Sequence, residues 1–240
     1  IGVSEHNLDG HQSRVKKICH NTARREFDHY SLILSSSDIP TDTSYKPGGT
    51  MSLTVGSMTA RIKSSGSDPM GRWTYTKFVG TRGKIITIIT AYQVCDKPVT
   101  TATKKKSRTA AAQQVSMMRI RGITNTHPRK QFCADLRNFL QECTNQNEEI
   151  LLAGDFNEAL GTNISGMTKI CTDFGLVDIL MSHHGTDTPT YVRGTTRIDY
   201  ALATPHVAAA CTTCGYEPFQ HRFTGDHRGM FLDLNTNALF

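Results

Sequence analysis

Hydrophobic residues in this chain switch repeatedly between the two-residue period of a strand and the 3.6-residue period of a helix. Met51, Leu53 and Val55 alternate with polar neighbours and predict a strand over Thr50–Val55. Trp73–Val79 and Lys84–Tyr92 predict two more, joined by the turn residues Gly80-Thr-Arg-Gly83. Ile85-Ile86 and Ile88-Ile89 make the second of these an apolar run suited to burial on both faces. Tyr30–Leu34 and the run 150–154 also predict strands, as do segments near 190, 198 and 230. Helical spacing appears in the basic stretch His11–Phe27, through Val15, Ile18, Cys19 and Thr22. A helix is predicted over Thr109–Arg119, and a short one near Met167–Phe174. Another begins near Pro128, a good first-turn residue, and carries Phe132, Leu136, Phe139, Leu140 and Cys143 on one core-facing stripe. Between strands, Ser35–Gly49 is rich in Ser, Asp, Pro, Thr and Gly and reads as a surface loop. Interleaved strands and helices indicate the α/β class.

Polar chemistry gathers where the apolar runs end. Ile150-Leu-Leu-Ala-Gly-Asp155-Phe-Asn157 is a strand that stops abruptly in a carboxylate and an amide. If the backbone stays extended, Asp155 and Asn157 point to one side, about 7 Å apart. Read alone, the pair fits a loop-forming Asx turn equally well. Arg197-Ile-Asp199-Tyr200 precedes Ala-Leu-Ala, and Thr224-Gly-Asp226-His227-Arg228 precedes Gly-Met-Phe-Leu. Three such runs imply a polar site at the rim of a β core, the edge where α/β folds place ligand-handling groups.

In this order the runs resemble the motifs of the endonuclease/exonuclease/phosphatase superfamily, proteins of the deoxyribonuclease I-like fold. Those motifs are a Gly-Asp-x-Asn strand end, an Arg-Ile-Asp-Tyr strand and a terminal Ser-Asp-His. Two earlier elements fit as well: Ile1-Gly-Val-Ser-Glu5 looks like the strand ending in a metal-binding glutamate, and Ile85 to Tyr92 like the strand ending in a tyrosine. The resemblance implies one domain over 1–240, a four-layer α/β sandwich of two packed mixed β-sheets flanked by helices. It implies a metal-dependent phosphodiester hydrolase, with the site where the loops of the two sheets meet. Asp155 would orient or deprotonate the attacking water, and Asn157 would hold that water and a phosphate oxygen. His227 would be paired with Asp199 and donate to phosphate, and Tyr92 would hydrogen-bond the phosphate. Glu5 and Asp226 would hold Mg2+, for which Mn2+ can substitute. Whether Asp155 or His227 takes the water's proton stays open.

Departures from the family pattern are informative. Gly225 replaces the usual serine, Gln93-Val-Cys95 lacks the usual proline, and Tyr191 stands where many members have tryptophan, an aromatic wall for a base or sugar. Ile1 opens in mid-strand, and the family's earlier strand with its metal-holding asparagine has no counterpart. The chain therefore reads as N-terminally truncated, one metal ligand short. Gly175-Leu-Val-Asp178 ahead of Pro189-Thr-Tyr191 resembles the endonuclease domains of non-LTR retrotransposon polyproteins. That likeness implies a DNA-nicking domain, fused in nature to a reverse transcriptase, intracellular and acting in the nucleus. The alternatives are another phosphodiesterase or phosphatase of the superfamily, or a truncated remnant that binds nucleic acid without cutting it.

Charge is consistent with such partners: 27 basic against 21 acidic residues give +6, a balance that favours phosphate-rich ligands. Lys104, Lys105, Lys106 and Arg108 are either backbone contacts to nucleic acid or a solvated loop. No run of apolar residues is long enough to span a membrane. Seven scattered cysteines suggest reduced thiols in an intracellular protein. Cys211-Thr-Thr-Cys214 has redox or zinc spacing, but no second pair completes a ligand set nearby, so it reads as two small core residues. His183 and His184 lie in the loop before Tyr191 and are either substrate contacts or part of a solvated loop.

Overall fold

The computed structural model describes residues 1–40, 44–96, 109–125, 127–221 and 224–240. Strand β1 (Gly2–Ser4), helix α1 (Ser13–Glu26), and strands β2 (Tyr30–Ser35), β3 (Thr50–Val55), β4 (Ile62–Ser67), β5 (Trp73–Val79) and β6 (Ile85–Tyr92) come first. Helices α2 (Ala110–Ile120) and α3 (Pro128–Asn145), strand β7 (Glu149–Asp155) and helix α4 (Met167–Phe174) follow. The last third holds β8 (Val177–Asp178), α5 (Ile179–His184), β9 (Asp199–Ala203), α6 (Pro205–Ala209), β10 (Cys211–Tyr216), β11 (Met230–Leu234) and α7 (Thr236–Leu239).

A six-stranded sheet of order β4-β5-β6-β7-β9-β8 organises the molecule. It is mixed, because β6 and β7 run parallel while their outer neighbours are antiparallel. The parallel pair requires a crossover, and α2 and α3 lie within it. One face of the sheet presents Trp73, Ile89, Leu152, Tyr200 and Leu202 to Phe132, Leu136 and Leu140 of α3 and to Met167 and Ile170 of α4. The stripe predicted from Pro128 onward is the stripe that packs.

The opposite face is covered by strands. A three-stranded sheet, β1-β3-β2, lies over β4 to β7, with α1 outside it against β2. Elsewhere on this face, Ile86, Leu151, Ala201 and Ala203 pack against α5, α6 and the β10–β11 hairpin. The result is the four-layer α/β arrangement expected from the sequence. Where the sheets meet near the rim, the contact is small and polar. The Ser52 hydroxyl lies 2.7 Å from Thr74 Oγ1 and 3.1 Å from Thr90 Oγ1, and Ser4 Oγ donates to Ala91 O at 2.8 Å.

Several local expectations are corrected. The segment near 190 is no strand; it makes a single bridge between Tyr191 and His227. His183 and His184 end helix α5 instead of lying in a loop. Strand β4 was not anticipated, because Lys63-Ser-Ser-Gly-Ser67 has no apolar alternation; it is an exposed edge strand. All seven cysteines are free thiols. No helix among the described residues is long and apolar enough to cross a membrane.

The wholly buried Leu152, at the centre of β7, tests the packing between sheet and helices. Leu152→Ala should lower unfolding free energy by about 2–5 kcal/mol, read as a shifted denaturant midpoint at unchanged slope. A loss under about 1 kcal/mol would mean this layer is loosely packed.

Candidate active site

Three adjacent strands place three polar side chains in one row. Tyr92 is paired with Asp155 across β6 and β7, and Asp155 with Asp199 across β7 and β9. Paired residues point to the same face, here the face that meets the second sheet. Because β6 and β7 are parallel and β9 antiparallel to them, the row lies at one rim. Gly154 makes the approach possible: its φ is +150°, and a Cβ there would fall 1.9 Å from Ala91 O.

After Asp155 the chain turns instead of staying extended. Asn157 has φ +47°, and its N–H donates to Asp155 Oδ1 at 2.8 Å, an Asx turn. Its amide nitrogen donates to Asp155 Oδ2 at 2.9 Å and to Gln93 O at 2.8 Å. Both amide hydrogens are thus committed, one of them to the carboxylate itself. The 7 Å separation inferred from an extended chain is replaced by direct contact.

His227 enters from the segment before β11. Val192 N donates to Asp226 O at 2.8 Å and Arg228 N to Thr190 O at 2.9 Å, which hold the backbone on both sides of it. His227 Nδ1 lies 2.9 Å from Asp199 Oδ2, and its Nε2 lies 4.0 Å from Asp155 Oδ2. Tyr191 stands beside the imidazole with ring centroids 5.2 Å apart. Desolvation alone would lower the histidine's pKa; the hydrogen bond and charge of Asp199, with the charges of Asp155 and Asp226, outweigh it and raise it to about 9. Asp155 is pushed above the ordinary carboxylate range, by burial first and then by Asp199, against the His227 charge and the Asn157 N–H.

Glu5 follows β1 in a left-handed conformation, φ +55°, and stands close to Tyr92, His227 and Asp226. Its pKa is raised by desolvation and by the charge of Asp226, while the Tyr92 hydroxyl hydrogen bond and the His227 charge oppose the rise. Burial, with the charges of Glu5 and Asp155, holds the Tyr92 phenol firmly protonated. Asp226 is exposed. The ligand atoms of Asp155, Asp199 and His227 all lie within 4.8 Å of one another, close enough to hold a cation. Glu5 and Asp226 border this set. Asp155 and Glu5, held above the ordinary carboxylate range by burial and by neighbouring acids, fit a hard divalent ion, whose charge would relieve the repulsion.

A supporting shell behind the row escaped sequence reasoning. The Arg197 guanidinium donates to Asp178 at 2.6 and 3.0 Å and to Asp187 at 2.8 Å, and lies 4.5 Å from the Tyr200 ring centroid. Thr190 Oγ1 accepts from the N–H of Ile198 and of Asp199, and the Tyr216 hydroxyl donates to Asp199 O at 2.7 Å. On the other flank, Arg129 donates to the carbonyl oxygens of Val94 and Asn157 and to Glu158 Oε2. Glu158 in turn accepts from Met167 N at 2.7 Å. Arg197 and Asp178 lay in motifs already noted; nothing local marks Arg129 or Tyr216. Lys104, Lys105, Lys106 and Arg108 lie outside the described residues.

No family sequence model matches the chain, and no curated protein matches it by sequence. Solved structures do. The AP endonuclease LMAP from Leishmania major superposes with TM-score 0.64 at 15% identity, over 96% of this chain and 76% of that one. The 3′ phosphatase NExo from Neisseria, bound to a product DNA hairpin, gives TM-score 0.61 at 15% identity over 97% and 87%. An endonuclease/exonuclease/phosphatase family protein from Leptotrichia buccalis C-1013-b gives 0.52 at 14% over 98% and 84%. The chain has the endonuclease/exonuclease/phosphatase fold. In that fold, the row Tyr92–Asp155–Asp199 with His227 occupies a rim where the loops of both sheet layers meet.

The His227–Asp199 pair makes a test in the metal-free chain. The imidazolium is the form the folded state favours, so its stabilisation is complete below the unfolded value of about 6.5 and is lost as pH rises through about 9. Ring-nitrogen NMR shifts of His227 should report a midpoint near pH 9, and Asp199→Asn should move it down. A midpoint near the ordinary histidine value of about 6.5 in the unmutated chain would show that the dyad does not form.

Proposed function

We propose that the chain is a divalent-metal-dependent phosphodiester hydrolase that nicks DNA, of the kind found in non-LTR retrotransposon polyproteins. The observation that carries the hydrolase reading is the His227–Asp199 pair facing Asp155 across 4.0 Å at the sheet rim. Fold neighbours named as an AP endonuclease and a DNA-bound 3′ phosphatase support phosphate-ester chemistry.

The residues divide the work by their protonation. Asp155 in its carboxylate form, made more basic by burial and by Asp199, with its two oxygens oriented by Asn157, accepts the proton of the attacking water. His227, charged because of Asp199, donates from Nε2 toward a non-bridging phosphate oxygen as negative charge builds there. Tyr92, held protonated, is an uncharged donor at the same rim, its hydroxyl shared with Glu5. Glu5 and Asp226 would hold Mg2+ or Mn2+, which supplies Lewis-acid stabilisation of the phosphoryl and leaving oxygens when bound. Water protonates the departing oxygen, and Asp155 returns its proton to solvent.

Nucleic acid is favoured over a small phosphate ester by charge. A cleft of about 870 Å3 opens beside Gln93, lined by Arg129, Lys130, Arg137 and Lys169 and by the acids Asp96, Glu158 and Asp173; Arg129 pairs with Glu158, and Arg137 and Lys169 with Asp173. The net charge of +6, and not this largely ion-paired cleft, is what favours a polyanion. Tyr191 supplies a stacking wall next to the histidine. Gly175-Leu-Val-Asp178, whose aspartate clamps Arg197, supports the retrotransposon type, and with it a reverse transcriptase fusion partner and a nuclear site of action.

Supercoiled-plasmid nicking by the full chain tests the reading. Activity should require Mg2+ or Mn2+ and vanish in excess chelator, because oxygen ligands select hard cations. Undiminished cutting in chelator would sink the mechanism. Asp155→Ala and His227→Ala should each lower the rate at least about 100-fold while circular dichroism stays unchanged. Near-normal rates in either variant would move the site elsewhere. A chain that binds DNA and never nicks it with metal present would be a binding remnant.

A further inference from the structure

Cys211 and Cys214 are both buried, yet positions i and i+3 of a regular strand face opposite ways. The pairing of β10 with β11 shifts register between Cys211 and Thr213, and that irregularity lets both thiols face inward together. Helix α5 ends against them. The ligand atoms of His183, Cys211 and Cys214 all lie within 4.8 Å of one another, and His184 Nε2 lies 2.9 Å from Cys214 O and 3.8 Å from its sulfur. Cys133, Cys143, Cys211 and Cys214 all sit in apolar clusters; what sets the last two apart is their closeness to each other and to the His183 imidazole. Two thiols and an imidazole, with no carboxylate in the set, suit zinc and not magnesium.

We propose that His183, Cys211 and Cys214 bind one zinc ion, with water from the exposed side of His183 in the fourth position. Zinc–sulfur bonds of about 2.3 Å and zinc–nitrogen bonds of about 2.0–2.1 Å require the three ligand atoms to close together slightly around the ion. Both thiols lose their protons to solvent on binding, leaving two thiolates and one neutral imidazole on the metal. The ion ties the end of α5 to β10. Asp178, at the start of α5, holds Arg197, and Tyr216, at the end of β10, donates to Asp199 O. One clip therefore joins two supports of the candidate active site, without touching its reacting groups. It stands whether or not the chain cuts DNA.

Cobalt titration of the reduced full chain, in excess Mg2+ to occupy oxygen sites, tests this directly. A thiolate-to-cobalt charge-transfer band should saturate at one equivalent, release two protons per ion, and be displaced by one equivalent of zinc. Cys214→Ser should lose the band. His183→Asn should also lose it, and this exposed position leaves folding intact. His227→Ala should keep it, which separates this site from the rim. No thiolate band in the unmutated chain, or a band that survives His183→Asn, would overturn the proposal.

Discussion

The register of three neighbouring strands is the constraint on which the rest depends. Tyr92, Asp155 and Asp199 are lateral partners on β6, β7 and β9, so their side chains leave one face at about the 4.8 Å spacing of the strands. A slip of one residue in either pairing would turn a carboxylate into the helix-packed face and an apolar residue into the rim. Register here is strongly specified, because Leu152, Tyr200 and Leu202 are buried against α3 and α4 on the other face. The apolar core on one face thus sets the geometry of the polar row on the other.

That row is electrostatically uncomfortable by construction. Asp155 and Asp199 are both buried, and Glu5 and Asp226 stand close by. Such a cluster is tolerated when a positive charge stays among the acids. His227 provides one, and the carboxylates hold it protonated in return. A divalent ion would add charge at the side occupied by Glu5 and Asp226. The same crowding that costs stability makes the ionised form of Asp155 a stronger base than an isolated surface aspartate.

Much of this was legible in the chain because the relevant signals are local. Thr50–Val55 and Met167–Phe174 have the bounds their uninterrupted periodicity predicts, and Trp73–Val79 has them because its aromatic and β-branched residues lie between turn residues. Asp155, Asp199 and His227 were legible because each sits in a short motif beside an apolar run, and the fold does bring them together. Asn157 was harder: an extended strand and an Asx turn fit the same four letters, and only the left-handed φ of the folded chain decides. β10 was hidden by its irregular pairing, which breaks the two-residue period. Arg129 is about thirty residues from the groups it braces, and no local pattern carries a contact of that range. Metal-capable grouping of His183 with Cys211 and Cys214 likewise exists only after α5 and β10 have met.

The small residues between the sheets explain why Glu5 can join the row. Gly2 lies so close to β6 that a Cβ would fall 2.4 Å from Thr90 Oγ1, and Ser4 bonds Ala91 O directly. Larger side chains at Gly2, Ser52 or Thr90 would raise β1 off β6, and Glu5 with it, away from the Tyr92 hydroxyl it accepts from. Hydroxyls serve better than alanines here, because each one fills the gap and satisfies a neighbour at once. A fully apolar contact between the sheets would need bulk to exclude water, and bulk is what this corner cannot accept. The polar interlayer is therefore the structural condition for a carboxylate from β1 to reach a row built on β6, β7 and β9.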